Sequence, residues 1–130
     1  MVFVCKYCEN NKSLHTFRIK EENDFNVVFY SCMSEAKDKN IEQIIYHFSG
    51  TLQHHHESCD KTWSWIIDSK NFKFEWHFFT LFKEILKLYD KYQKTLLEIQ
   101  IINMNAWMKF FIKMCTPFMS KDLKNKLKFN

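Results

Sequence analysis

Three stretches of this chain repeat apolar residues at helical spacing, and each follows a short β-prone run. In NIEQIIYHFSGTLQ, Ile41, Ile44, Ile45, Phe48 and Leu52 fall at i, i+3, i+4, i+7 and i+11, which is one face of a helix. Asn40 stands at its start with Gln43 three residues on, a weakened capping box. In FEWHFFTLFKEILKLYDKYQ the face is Phe78, Leu81, Phe82, Ile85, Leu88, Tyr89 and Tyr92. In AWMKFFIKMC it is Trp107, Phe110, Phe111, Met114 and, beyond the break expected at Pro117, Phe118. Ser120 is placed to cap a short last helix, KDLKNKL, and LKF reads as the start of a further strand.

The intervening runs read as strands. Segments 15–20 and 26–32 are joined by a polar turn at Glu21 to Asp24, and TWSWIIDS (62–69) is a compact β-prone run. LLEIQIIN (96–103) alternates only partly and predicts a strand buried on both faces. Strands separated by helices predict parallel crossovers and an α/β fold, a mixed or mostly parallel sheet with helices packed against it. At 130 residues, with no internal repeat or linker, the chain reads as a single domain over 1–130. Sheets of this kind hold ligands at strand-end clefts.

Composition removes several functions. One glycine, Gly50, cannot write G-x-G-x-x-G or the P-loop, so neither glycine-rich phosphate cradle is available. A hydrophobic content of 46% is incompatible with a disordered chain. The net charge of +4 is concentrated at the end: Lys109 to Asn130 carries six lysines against Asp122 alone. Such an end faces an anionic membrane, an acidic partner or solvent. With Arg18 the sole arginine, base-edge readout is disfavoured and no nucleic-acid partner is expected. No run approaches the 18 apolar residues of a membrane span. MVFVC lacks the basic start and long apolar stretch of a secretory signal, and five cysteines form no regular framework. Free thiols in the cytoplasm are the expectation, with any membrane contact peripheral.

The cysteines and histidines offer three kinds of chemistry. Cys5-x-x-Cys8 with His54, His55, His56 and Cys59 offers zinc ligands, but the distant half lacks a second CxxC or H-x3-H. The expectation is therefore no metal, with His54 to His56 on an exposed loop and the thiols buried. EN-NKS after Cys8 is a poor helix start, against a thioredoxin-type role. His15, His47 and His77 pair with no cysteine by any local signature of a protease; His47 and His77 read as partly buried packing residues. Asp68, at a strand end, reads as a hydrogen-bond acceptor for loop amides rather than a catalytic acid.

Three segments resemble the CRAL-TRIO family, the lipid-binding domains of phosphatidylinositol-transfer and tocopherol/retinal-binding type. NVVFYSC (26–32) resembles its first core strand, and WSWIIDSKNF (63–72) its second, with Asp68 in the place of the family's strand-end aspartate. EIQIINMNAWMKFFIKMCTPFMSKDLKNKLKF (98–129) resembles its most recognisable stretch, with Asn103 and Pro117 at the family's separation. The likeness spans about 15–129 and is nearest the divergent branch in some Rho GTPase-activating proteins. Asn105 stands where the family often has proline, and a glycine common near Asn71 is absent. The N-terminal helical subdomain and the sequence beyond the last strand, part of the pocket's gate, have no counterpart here.

The resemblance implies a reduced CRAL-TRIO-like fold and non-enzymatic binding of a phospholipid or other hydrophobic molecule at a membrane surface, without a cofactor. The pocket candidates are Phe29, Trp107, Phe110, Phe111, Met114 and Phe118; the headgroup-facing candidates are Lys121, Lys124, Lys126 and Lys128. The helix from Trp107 also carries Met108, Ile112, Cys115 and Met119 on its other side. A helix apolar nearly all round must meet something on two sides. The alternative is a protein-interaction module of the small-GTPase-regulator type, lacking a closed lipid pocket.

Overall fold

The computed structural model describes residues 3–130. Five strands form one sheet in the order β1-β2-β3-β4-β5: β1 (Arg18–Glu22), β2 (Asn26–Cys32), β3 (Thr62–Asp68), β4 (Leu96–Ile102) and β5 (Leu127–Phe129). β1 pairs antiparallel with β2 as a hairpin, and the other pairings are parallel. The crossovers are α1 (Ile41–Ser58), α2 (Trp76–Tyr92), and α3 (Ala106–Cys115) followed by the short α4 (Lys121–Lys126). The expected α/β class holds.

Consecutive strand order has a consequence that periodicity does not show. Each crossover runs in the same direction along the sheet, and parallel crossovers share one hand, so they deposit their helices on one face. That face carries Val27, Phe29 and Ser31 of β2, Trp63, Trp65 and Ile67 of β3, and Leu96, Ile99 and Ile101 of β4, all buried. The register places Phe29, Trp65 and Ile99 side by side. Val28, Tyr30, Ile66, Gln100 and Ile102 point the other way and stay half-exposed. This corrects the expectation of a β4 buried on both faces: Leu97 is 55% exposed. The unbroken apolar pair Ile101–Ile102 reflects one buried residue and one on the opposite, partly covered face.

The helices start where the sequence expects. Asn40 Oδ1 accepts from the Gln43 amide at 3.2 Å, and Ser120 Oγ from the Leu123 amide at 3.1 Å. Each satisfies an amide that has no partner in the first turn. Ile44, Phe48 and Leu52 of α1 face the sheet. Phe17, just before β1, stacks between Phe29 and Phe48 with centroids 4.9 and 4.2 Å away. Trp65 is buried against this stack, and its Nε1–H donates to Ser31 Oγ at 2.8 Å. Gly50 lies inside α1, where a glycine weakens a helix. The ring of Phe3 occupies the space a Cβ there would take. The glycine is the seat on which the N-terminal segment lies across α1.

Candidate ligand-binding site

Beneath α2 and α3 the helix layer does not close fully on the sheet. An apolar cavity of about 100 Å³ remains, lined by Trp65 and Ile67 of β3, Leu81 and Ile85 of α2, and Phe111 and Cys115 of α3. Among the described residues no charged side chain lines it. Burial alone pushes the Cys115 thiol up to about 12, so at neutral pH this sulfur is a protonated packing group rather than a nucleophile. The cavity is smaller than the ~150 Å³ space that admits a benzene ring. It therefore holds at most a fragment of an acyl chain unless a wall moves.

That wall is α3, and its orientation differs from the expected one. Met108, Phe111 and Cys115 are its buried residues. Trp107, Phe110 and Phe118 are 46%, 50% and 55% exposed, and Met114 is half-buried. Of the pocket candidates only Phe111 lines the cavity. Phe29 is fully buried behind the lining, in ring contact with Phe17 and Trp63, which do face the cavity. The side read from sequence as secondary (Met108, Ile112, Cys115, Met119) is the inner one. Both sides of α3 are apolar, so sequence gives no means to choose between them.

The outward side of α3 joins other aromatics that the sequence reading did not single out. Phe74 touches Trp76, Phe110 and Phe111 with centroids 5.2, 5.7 and 5.6 Å apart, and Phe110 touches Trp107 at 6.5 Å. Phe79 of α2 meets Phe118 at 5.6 Å. Trp76 is 73% exposed. The result is an aromatic platform on the outside of the wall whose inside lines the cavity. Lys109 and Lys113 are exposed on the same helix, and Lys83 Nζ lies 4.8 Å over the Phe79 ring.

Of the C-terminal lysines, Lys121, Lys124 and Lys128 are exposed. Lys126 is not headgroup-facing: its Nζ donates to Gln93 O at 2.7 Å, lies 3.3 Å from Asp122 Oδ2, and sits over the Tyr89 ring. Tyr89 in turn donates to Asp122. Lys126 ties α4 to the end of α2.

The strand-end polar residues form one network at the C-terminal edge of the sheet. Asp68 Oδ1 accepts from the Lys70 amide and from Asn103 Nδ2, both at 3.0 Å, and Oδ2 accepts from the Tyr30 hydroxyl at 2.7 Å. Burial alone would raise the Asp68 pKa; the bonds from Asn103, Lys70 and Tyr30 outweigh it and hold the carboxyl below its usual range. Loop-amide acceptance, the expected role, is thus present and joined by two side chains. Asn71 and Asn103 adopt left-handed backbone, φ 56° and 53°, a region asparagine tolerates better than most side chains. Asn71 therefore does without the family's glycine. Asn105 replaces proline with three bonds: Oδ1 accepts from the Met108 amide at 2.9 Å, and Nδ2 donates to Ser69 O and Phe72 O at 3.1 Å. It holds the start of α3 against the loop after β3. Asn105→Ala is expected to lower stability by about 1–3 kcal/mol, measured as a shift of the urea midpoint.

His54, His55 and His56 lie in the last turns of α1, not on a loop. His55 is buried, and its Nε2 is 3.0 Å from Lys61 O. Cys59 Sγ is 3.6 Å from His55 Nδ1. None of these four is grouped with Cys5 and Cys8, which face His15 and His47 instead. His77 is half-buried beside Glu75, at 4.0 Å.

The sequence model of the CRAL/TRIO domain matches residues 2–130. The chain belongs to the CRAL/TRIO domain family. Domains of this family bind lipids or other hydrophobic small molecules and are generally not enzymes. No curated protein sequence matches the chain. Among solved structures, a crystal structure of Sfh5 superposes with a TM-score of 0.71 at 12% identity, over 98% of this chain and 53% of that one. This CRAL/TRIO chain therefore spans about half the length of Sfh5, and at that identity the likeness is one of fold. The Asp68–Asn103 bond gives a physical reason for the family's aspartate and asparagine: they lock two neighbouring strand ends together. Among the described residues no helix is long and apolar enough to cross a membrane.

Proposed function

We propose that this CRAL/TRIO domain binds a hydrophobic ligand, a phospholipid acyl chain or a molecule like it, between the sheet and α2 and α3, and that it does so at a membrane surface without covalent chemistry. The observation that carries this reading is that α3 is apolar on both sides, with an apolar cavity inside it and the aromatic platform outside. Each buried methylene contributes about 0.8 kcal/mol, so an acyl chain repays the displacement of α3 that a cavity of about 100 Å³ requires. The platform supplies the contact with the bilayer, since aromatic rings sit well at the headgroup boundary. Lys109, Lys113, Lys121, Lys124 and Lys128 add attraction to anionic lipid, roughly 1 kcal/mol for each cation near the surface.

The test is native mass spectrometry of the folded chain after incubation with mixed phospholipid vesicles. One lipid mass per chain is expected. Cys115→Phe, which puts a ring into the cavity, is expected to lower lipid occupancy at least fivefold; overpacking of this kind costs typically 1–3 kcal/mol of stability. A folded parent that takes up no lipid would reject the reading. The alternative, a protein-interaction module as the likeness to the Rho GTPase-activating branch implies, then gains: the same platform would meet a small GTPase, and a GTPase pull-down that depends on Trp107 and Phe110 would support it.

A further inference from the structure

We infer that Cys5, Cys8, His15 and His47 form a structural zinc site that pins the N-terminal segment to α1. Their four ligand atoms lie within 4.8 Å of one another, and all four residues are buried. His15 Nδ1 is 3.1 Å from Cys8 Sγ and 3.7 Å from Cys5 Sγ, and His47 Nδ1 is 3.7 Å from Cys8 Sγ. A tetrahedral zinc with Zn–S near 2.3 Å and Zn–N near 2.0–2.1 Å has ligand–ligand edges of roughly 3.3–3.8 Å. The three sulfur–nitrogen separations of 3.1, 3.7 and 3.7 Å fall in or near that range.

The outer contacts fix the same assignment. His15 Nε2 is 2.7 Å from Asp38 Oδ2, and His47 Nε2 is 2.7 Å from Phe17 O. A carbonyl only accepts, so His47 carries its proton on Nε2 and turns the Nδ1 lone pair toward the thiols. The Asp38 carboxylate orients His15 in the same way. Carboxylate and carbonyl partners on the far nitrogen are the usual support of metal-bound histidine. Cys5 and Cys8 are joined by a tight turn, the Cys8 amide donating to Cys5 O at 3.1 Å, so CxxC delivers two sulfurs to one point. Thiol–imidazole hydrogen bonding alone explains this less well, because both thiols face the same lone pair of His15. Four protein ligands leave no open position, which marks the site as structural rather than catalytic.

On sequence spacing alone the partner half for Cys5 and Cys8 is the dense His54 to His56 and Cys59 cluster, whose irregular pattern gives the expectation of no metal. The partners in space are His15, seven residues from Cys8, and His47, 39 residues from it on α1. His47 reaches the site because α1 lies against the N-terminal segment, with Phe3 seated on Gly50 and Tyr7 packed on Tyr46 at 5.3 Å.

The full chain, expressed in zinc-supplemented medium, is expected to carry one zinc per folded chain by elemental analysis. Zinc should be released when the thiols are modified with a mercurial. Cobalt added to the chelator-stripped chain is expected to give the intense visible bands and near-ultraviolet thiolate charge transfer of a tetrahedral sulfur–nitrogen site. Cys8→Ser and His47→Gln should each lower zinc content at least fivefold, and the double variant His54→Ala, Cys59→Ser should keep it. If Cys8→Ser does not fold, the cobalt spectrum of the parent decides. A folded parent with neither bound zinc nor a cobalt spectrum, a Cys5–Cys8 disulfide in it, or zinc lost with His54 and Cys59 but kept in Cys8→Ser would each overturn the assignment. None of these readouts depends on lipid binding.

Discussion

Replacing Trp107 and Phe110 together with alanine is expected to weaken binding to anionic vesicles by roughly 10- to 100-fold. A large apolar side chain gains about 1.5–3 kcal/mol on full burial, and these two are already about half-buried at 46% and 50% exposure. Each therefore has about half that gain left to make at a membrane. Vesicle co-sedimentation at fixed lipid measures it, with thermal unfolding as the control. The variant should remain folded, because neither residue belongs to the buried core of α3. Salt separates the apolar contribution from the electrostatic one. Exposed charges are screened over about 8 Å at physiological ionic strength, so the loss caused by these alanines should persist at high salt. Lys121, Lys124 and Lys128 changed to glutamine should instead weaken binding to anionic vesicles and spare binding to neutral ones. Lys126 is best left in place because of its bonds to Gln93 and Asp122. Unchanged binding by the folded Trp107/Phe110 variant would remove the platform from the membrane contact.

Asp68→Ala is expected to cost about 3 kcal/mol of stability. The change leaves the Lys70 amide, Asn103 Nδ2 and the Tyr30 hydroxyl without their shared acceptor. Chemical denaturation measures it. The pH dependence distinguishes a charged acceptor from a neutral one. The Asp68 pKa is lower in the folded chain than its ordinary value, so the unfolded chain takes up the proton first as pH falls. The carboxylate's contribution is complete above about pH 4, the ordinary range for aspartate, and is lost as pH drops through the native pKa. Asp68→Asn should therefore flatten the acid limb of the stability profile. An unchanged acid limb would mean that the network works equally well around a neutral side chain.

The helices and strands were legible because local spacing records which residues face a core: Ile44, Phe48 and Leu52 of α1, or Leu81, Tyr89 and Tyr92 of α2. The caps at Asn40 and Ser120 were legible because a cap is a contact across three residues. The strand-end pair Asp68 and Asn103 could be named from the family pattern, although the bond between them joins residues 35 apart. The one-sided burial of β4 depends on the order in which strands pair. No single segment encodes that order.

The sequence by itself determined the α/β class, the family, and a helix around Trp107 to Cys115 with apolar residues on both sides. Tertiary structure alone decided which side of that helix faces the cavity, that Phe74, Trp76 and Phe79 extend its outer side into a platform, and that Cys5 and Cys8 meet His15 and His47. The physical reason is the same in each case. Periodicity reports which residues of one segment share a face, whereas a cavity, a surface patch or a four-ligand cluster is made by elements distant in the chain, and their meeting is fixed only when the helices settle on the sheet.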